Sequence, residues 1–182
     1  QLQVDGLASA INQRLSHFKV ALEMARGLTV ASENVTREEW RKFTTSEGFF
    51  ERVPGAYGFS YIHRVPVAEL DRFEQEARAD GVPSFSVFDT LLYDPVPYED
   101  CAVIKYIEPL DRNRKALGLN VASIPVSSET MWRSVDRGEA VVSRRIHLQQ
   151  TGQGQIGIVM YHPIFPVGAD VNTVESRREA VT

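Results

Sequence analysis

Ala56-Tyr57-Gly58-Phe59-Ser60-Tyr61-Ile62-His63-Arg64-Val65 is the stretch on which the fold turns. It is aromatic and β-branched with roughly period two, the pattern of a strand with two unlike faces, and Pro66 ends it. Upstream of it the sequence reads as helix. Downstream it alternates between short strands and helices.

On the upstream side, Val4, Ile11, Phe18 and Ala25 recur every seven residues, with Leu7, Ala8, Leu15 and Leu22 filling the alternate spacing. An apolar seam of this kind, with Gly27 late and no proline, predicts one helix over residues 1–30 that packs along another helix. That second helix can belong to the same chain or to a parallel second copy, and the pattern admits both. Residues 36–47 predict a second helix. Thr36-Arg37-Glu38-Glu39 is a capping box, in which the Thr hydroxyl accepts from the third helical N–H and the Glu reaches back. Trp40 and Phe43 supply its apolar edge, and Gly48 and Pro54-Gly55 mark loops.

On the downstream side, residues 67–80 read as a helix with Leu70, Phe73 and Ala77 inward, stopped by Gly81. Residues 85–88 read as a short strand, 94–97 as a turn-rich loop, 102–108 as a strand and 113–118 as a helical turn. Residues 127–137 read as a helix closing at Gly138. Strands over 141–148 and 157–165 are joined through 149–155 as a hairpin. Five strands with helices before and between them, the last two antiparallel, make an α+β fold.

The bulk numbers bound the function. A chain of 182 residues, 43% hydrophobic and 24% charged, holds one substantial domain or two small subdomains. A net charge of -4 without a clustered basic face excludes a nucleic-acid footprint. No stretch approaches the roughly 20 apolar residues that span a bilayer, and no signal peptide is visible. The sequence opens at Gln1, already inside a helical pattern, as a fragment does, so membrane spans elsewhere stay open. Cys101 is the one cysteine, which excludes an internal disulfide and a thiolate metal cluster. It reads as a small buried hydrophobe whose thiol pKa is raised by Glu99 and Asp100.

Candidate chemistry is thin. Gly152-Gln153-Gly154-Gln155-Ile156-Gly157 matches G-x-G-x-x-G, but a strand follows it where a dinucleotide site needs a helix N-terminus, so the glycines serve a turn. His17, His63, His147 and His162 have no metal-ligand spacing. His147 and His162 would share a polar wall if they faced each other across the hairpin. Glu99-Asp100 and Glu108 flank one strand, where they can bind a cation or an amine, or cap turns. Arg144-Arg145 sits within a strand, so alternation sends the two side chains to opposite faces. One of them then either binds an anion in a pocket or lies on an edge. Asn34-Val35-Thr36 is a sequon whose Thr already serves as the helix cap. No catalytic grouping, phosphate loop, metal site or cofactor motif is present.

Several strings in order resemble the CHASE domain, the extracytoplasmic sensor of histidine kinases and cyclases found also in plant cytokinin receptors. They are Phe49-Phe50-Glu51-Arg52-Val53-Pro54-Gly55-Ala56, His63-Arg64-Val65, Arg72-Phe73-Glu74, Val103-Ile104-Lys105-Tyr106-Ile107-Glu108-Pro109-Leu110, Ala116-Leu117-Gly118, Asn120-Val121-Ala122-Ser123, Asp136-Arg137-Gly138-Glu139-Ala140-Val141 and Tyr161-His162-Pro163-Ile164-Phe165. The resemblance implies a stalk helix over residues 1–35 and a sensing domain over 36–182 made of two PAS-like subdomains, the distal one complete and the proximal one lacking its closing strand. It implies flanking membrane helices, a homodimer through the stalk, and a small ligand bound distally whose occupancy is passed to a cytoplasmic kinase or cyclase. In cytokinin receptors an Asp binds the adenine-like ring, and the matching position here is Tyr98, with Glu99 and Asp100 beside it. A Thr lines that pocket where Ser143 stands. The change at Tyr98 points to a ligand other than a cytokinin.

The expected pocket comprises Tyr98, Glu99, Tyr106, Glu108, Leu117, Ser143, Arg145, His147 and Tyr161, set by alternation on neighbouring strands. A tenfold preference of the ligand for one of two packings supplies about 1.4 kcal/mol for signalling. Two other classes remain: a small-molecule enzyme whose site hides among the acids and histidines, and a dimerisation or protein-docking module.

Overall fold

The structure, a computed structural model, describes residues 2–32, 34–46, 48–94, 98–148 and 155–182, with residues 2–4 as backbone only. It divides into two compact units, residues 1–57 and 58–182.

The first unit is helical. Helix α1 (Leu2–Ala31) runs unbroken, as the seam predicts. Ala21 and Ala25 are buried, and Leu15, Phe18 and Leu22 are half-buried. Leu7 and Ile11, higher on the same seam, are exposed. Helix α2 (Arg37–Thr45) starts at the predicted capping box: the Thr36 Oγ1 accepts from the Glu39 N–H, and the Glu39 carboxylate accepts from the Thr36 N–H at 2.8 Å. That pairing also holds the Glu39 carboxyl below its usual range. Phe43 and Phe49, the first residue of the short helix α3 (Phe49–Arg52), meet edge-to-face at 5.3 Å.

The second unit is built on one antiparallel pair, β1 (Phe59–Pro66) and β2 (Asp100–Glu108). The register slips between Tyr61/Tyr106 and Ile62/Ile104, leaving Lys105 as an extra residue on β2. Alternation through that bulge puts Phe59, Tyr61, His63 and Val65 on one face with Cys101, Val103, Tyr106 and Glu108. Helix α4 (Leu70–Ala79), preceded by a 3₁₀ turn at Val67–Glu69, buries Phe73 and Ala77. It covers this face, with Phe73 stacked on His63 at 5.7 Å. On the opposite face Arg64 lies over Trp132 of helix α6 (Pro125–Arg137). Both faces of β2 are therefore apolar and covered, and Cys101 to Ile104 are all buried.

The α+β class holds, with differences in detail. The expected strand at 85–88 is reduced to a single parallel bridge, Phe88 to Leu119, which adds the 118–120 segment and then Phe88 to the edge of β2. The expected turn at 113–118 starts earlier, as α5 (Leu110–Asn113) followed by a 3₁₀ turn at Arg114–Ala116. Helix α6 ends where Gly138 takes φ of 65°, as expected of a left-handed cap.

The hairpin is antiparallel but broken. β3 (Val141–Val142) pairs with β6 (Met160–Tyr161), and β4 (Ile146–His147) with β5 (Ile156–Gly157). Between these pairs the first strand has three residues, 143–145, and the second two, 158–159, so a bulge interrupts the ladder. The expected turn at 149–155 lies outside the described residues except Gln155. A helix not anticipated from the sequence, α7 (Val174–Ala180), follows, with Thr173 and Ser176 as its reciprocal cap.

Candidate ligand-binding site

Two clusters on the β1–β2 pair carry the chemistry. The first lies beside the start of β2. Asn120 is completely buried; its Oδ1 accepts from the Ala102 N–H at 2.9 Å and the Ala122 N–H at 3.2 Å. Its Nδ2 donates to Asp89 at 2.9 Å, and the other Asp89 oxygen accepts from the Tyr98 hydroxyl at 2.6 Å. The Ser123 hydroxyl accepts from the Thr90 N–H and donates to the Asn120 carbonyl, closing the network. Burial first, and then the Asp89 carboxylate, push the Tyr98 phenol up to about 12, so it stays a donor at any physiological pH. Burial and Asp89 also raise the Cys101 thiol, with Asp100 the smaller influence. Cys101 is buried, as expected of a small hydrophobe.

The second cluster is aromatic. Tyr106, buried on β2, stacks on Tyr61 at 5.7 Å; Tyr61 stacks on His63, and His63 on Phe73. The Lys105 ammonium, displaced by the bulge, sits 5.9 Å from the Phe73 ring and 5.3 Å from that of Tyr106. Among the described residues the buried His63 Nδ1 has no hydrogen-bond partner. Burial chiefly, and Lys105 next, lower its pKa, with Glu76 opposing.

The sign of the resulting pH effect is fixed. A histidine that binds its proton less readily when folded leaves the unfolded chain to take it up first. His63 therefore stabilises the fold above the unfolded value of about 6.5, and that stability is lost as pH falls through the folded value. Urea melts between about pH 5 and 8 should show stability falling with acid in the parent and less so in His63→Phe. Equal slopes in the two proteins would show that His63 is not the titrating group.

The residues expected at the pocket are dispersed among these features. Tyr98 is in the polar network, whereas the Glu99 side chain is exposed and its carbonyl accepts from Val67. Tyr106 and Glu108 share a face, and the buried Glu108 accepts from the Leu110 N–H at 2.9 Å, which is the turn-capping role. Leu117 belongs to the core cluster. Ser143 and Tyr161 lie on adjoining hairpin strands. The buried Ser143 hydroxyl accepts from the Val159 N–H at 2.9 Å and donates to the Arg144 carbonyl, replacing ladder bonds at the bulge. Tyr161 is buried beside Ser127 of α6, and burial pushes its phenol up to about 12.

At the hairpin the surface alternatives hold: Arg144 and Arg145 are both exposed, and Arg144 pairs with Glu129 at 2.7 Å. The exposed His147 lies opposite Ile156, not His162. The sequence reading quotes Tyr61 and Asn120 but gives neither of them, nor Asp89, a place in the site. Asp89 and Asn120 are brought together by the Phe88–Leu119 bridge, which no periodicity announces. Among the described residues no group of three or more His, Cys, Asp or Glu side chains is placed to hold a metal ion, and no helix is long and apolar enough to cross a membrane.

Comparison with protein families supplies the class: an extracellular sensor domain of signalling receptors. The CHASE domain model matches residues 33–182, and the chain belongs to that family. No curated protein matches it.

Proposed function

We propose that this domain senses a small molecule on the extracytoplasmic, periplasmic side of the inner membrane, as part of a transmembrane histidine kinase or nucleotide cyclase. The ligand binds in a PAS-like pocket, and its occupancy is passed through a dimeric stalk helix. The observation that carries the reading is the Tyr98–Asp89–Asn120 network, a hydrogen-bonded polar patch beside an otherwise apolar strand in a chain of a sensor family. A ligand bearing N–H or O–H donors can compete for Asp89 there, and buried groups fix its orientation. The proposed lining also takes in the buried Ser143, Tyr161 and Leu117, and Tyr106 and Glu108 from the α4 face of β2, with Glu99, Arg145 and His147 exposed. The exposed Leu7 and Ile11 on the heptad seam support pairing of α1 with a second copy.

A thermal-shift screen of small metabolites tests this directly. A true ligand at 100 times its Kd adds roughly 2.7 kcal/mol of stability. Asp89→Asn with Tyr98→Phe should abolish the shift, and Arg145→Ala with His147→Ala should weaken it. Sedimentation of the same samples should give the mass of a dimer. A shift indifferent to all four substitutions would remove the pocket, and a monomer at every concentration would remove the stalk pairing.

A further inference from the structure

Helix α7 has no fully buried side chain, and of its apolar residues only Val174 and Ala180 are half-buried. Its attachments are polar and come from two arginines of its own and one of β1. The Arg177 guanidinium donates to the carbonyls of Val135 and Asp136 in the last turn of α6, each at 3.1 Å, the Val135 carbonyl also accepting from the Gly138 N–H, and to the Val171 carbonyl at 2.7 Å. Arg178 makes a two-pronged pair with Asp136 at 2.7 and 2.9 Å, and Asp136 is held below the usual carboxylate range by it. Arg64 of β1 reaches across to donate to the Arg178 carbonyl at 2.8 Å. The same guanidinium pairs with Asp100, the first residue of β2, at 2.7 Å. The Trp132 ring is within reach of both arginines, with the guanidinium carbons of Arg64 and Arg178 at 5.8 and 5.7 Å from its centroid.

Two physical consequences follow. Attachments of this kind are half-exposed and individually weak, so they open more readily than the apolar β1–β2 core. And one side chain, Arg64, serves both the sheet and the helix: its grip on α7 depends on where Asp100 holds its guanidinium. We infer that α7 is a releasable strap, latched by Arg64 and Arg178, which couples the position of Asp100 at the start of β2 to the C-terminal helix. The strap is defined without a ligand. Its bistability lies in the latch, closed with Arg64 bridging Asp100 and the Arg178 carbonyl, open with that bridge broken.

Amide hydrogen exchange tests it. Arg178→Met removes the latch on α7 itself. Asp100→Asn leaves α7 untouched and weakens only the carboxylate that aims Arg64, so it reads coupling and not local contact. Arg64→Lys retains a positive charge for Asp100 but lacks the planar fork that also reaches the carbonyl. The expected result is about tenfold faster exchange of the α7 amides in Arg178→Met, on the scale of a lost charge-assisted pair. A smaller acceleration in the same direction is expected in Asp100→Asn and Arg64→Lys, with β1 and β2 still protected in all three. Arg72→Met, which breaks an unrelated pair on α4, should leave α7 unchanged. Unaltered α7 exchange in Asp100→Asn overturns the coupling. Loss of protection in sheet and strap together overturns the strap as a separate element.

Discussion

Gly118→Ala is expected to cost the domain about 4 kcal/mol or more, enough to leave a large fraction of the chain unfolded at 37 °C. Gly118 has φ of 87°, where an alanine side chain is strained by about 1–2 kcal/mol. Strain alone is the smaller part. A Cβ at this position would lie 2.1 Å from the Ser86 carbonyl oxygen, a backbone atom that cannot swing aside as a flexible side chain can. Relief requires the 86–88 segment to move. That segment accepts and donates the bonds Phe88 N–H to Gly118 and Asn120 N–H to Phe88, at 3.1 and 2.9 Å, and its displacement also carries Asp89 away from Asn120. Gly81 supplies the control, because it has nearly the same φ, 90°, with no atom within 4 Å of an added Cβ. Gly81→Ala should therefore cost only the strain. Urea melts of the two variants separate the effects, and equal losses would show that close backbone approach is not what makes Gly118 obligatory.

That contrast also shows where the sequence is legible. Local features read directly: the seam of α1, the capping box of α2, the period-two run of β1 and the glycine that ends α6 are each encoded within a few residues of where they act. Helix α7 is silent in the sequence because Val174 and Ala180 are its only apolar residues, too few for a periodic stripe, and its cap pairs Thr173 with a Ser in place of the usual Glu or Gln. The bulges were equally silent. Inserting Lys105 into β2, or a third residue between Val142 and Ile146, changes which side chains share a face, and strict alternation does not foresee either insertion. The candidate site suffers most, since it depends on pairings across long separations: Asp89 with Asn120, Tyr61 with Tyr106, Arg64 with Asp100. Each residue is ordinary in its own neighbourhood. Its role comes from register, and register is set by the whole sheet.

Asn120→Leu should destabilise the domain by about 3–5 kcal/mol, the cost of burying two N–H groups, those of Ala102 and Ala122, with no acceptor. Leucine fills similar volume, so the loss reports hydrogen bonding more than a cavity. A sharper version keeps the acceptor and changes the charge. Asn120→Asp can still accept from both N–H groups, but it sets a second carboxylate where Nδ2 now donates to Asp89 at 2.9 Å. Two acids at that separation cannot both ionise without penalty, so one of them binds a proton more tightly in the folded state. A carboxyl whose folded pKa is raised contributes stability at low pH that is lost as pH climbs through the folded value. Asn120→Asp should accordingly be most stable in mild acid and weaken toward neutrality. Adding Asp89→Asn, which restores a donor opposite the new carboxylate, should remove that pH dependence and return much of the lost stability. Thermal melts of the single and double variants across pH 4–8 provide the measurement. If the second substitution rescues nothing, Asp89 and Asn120 do not share the hydrogen bond on which the polar end of the site is built.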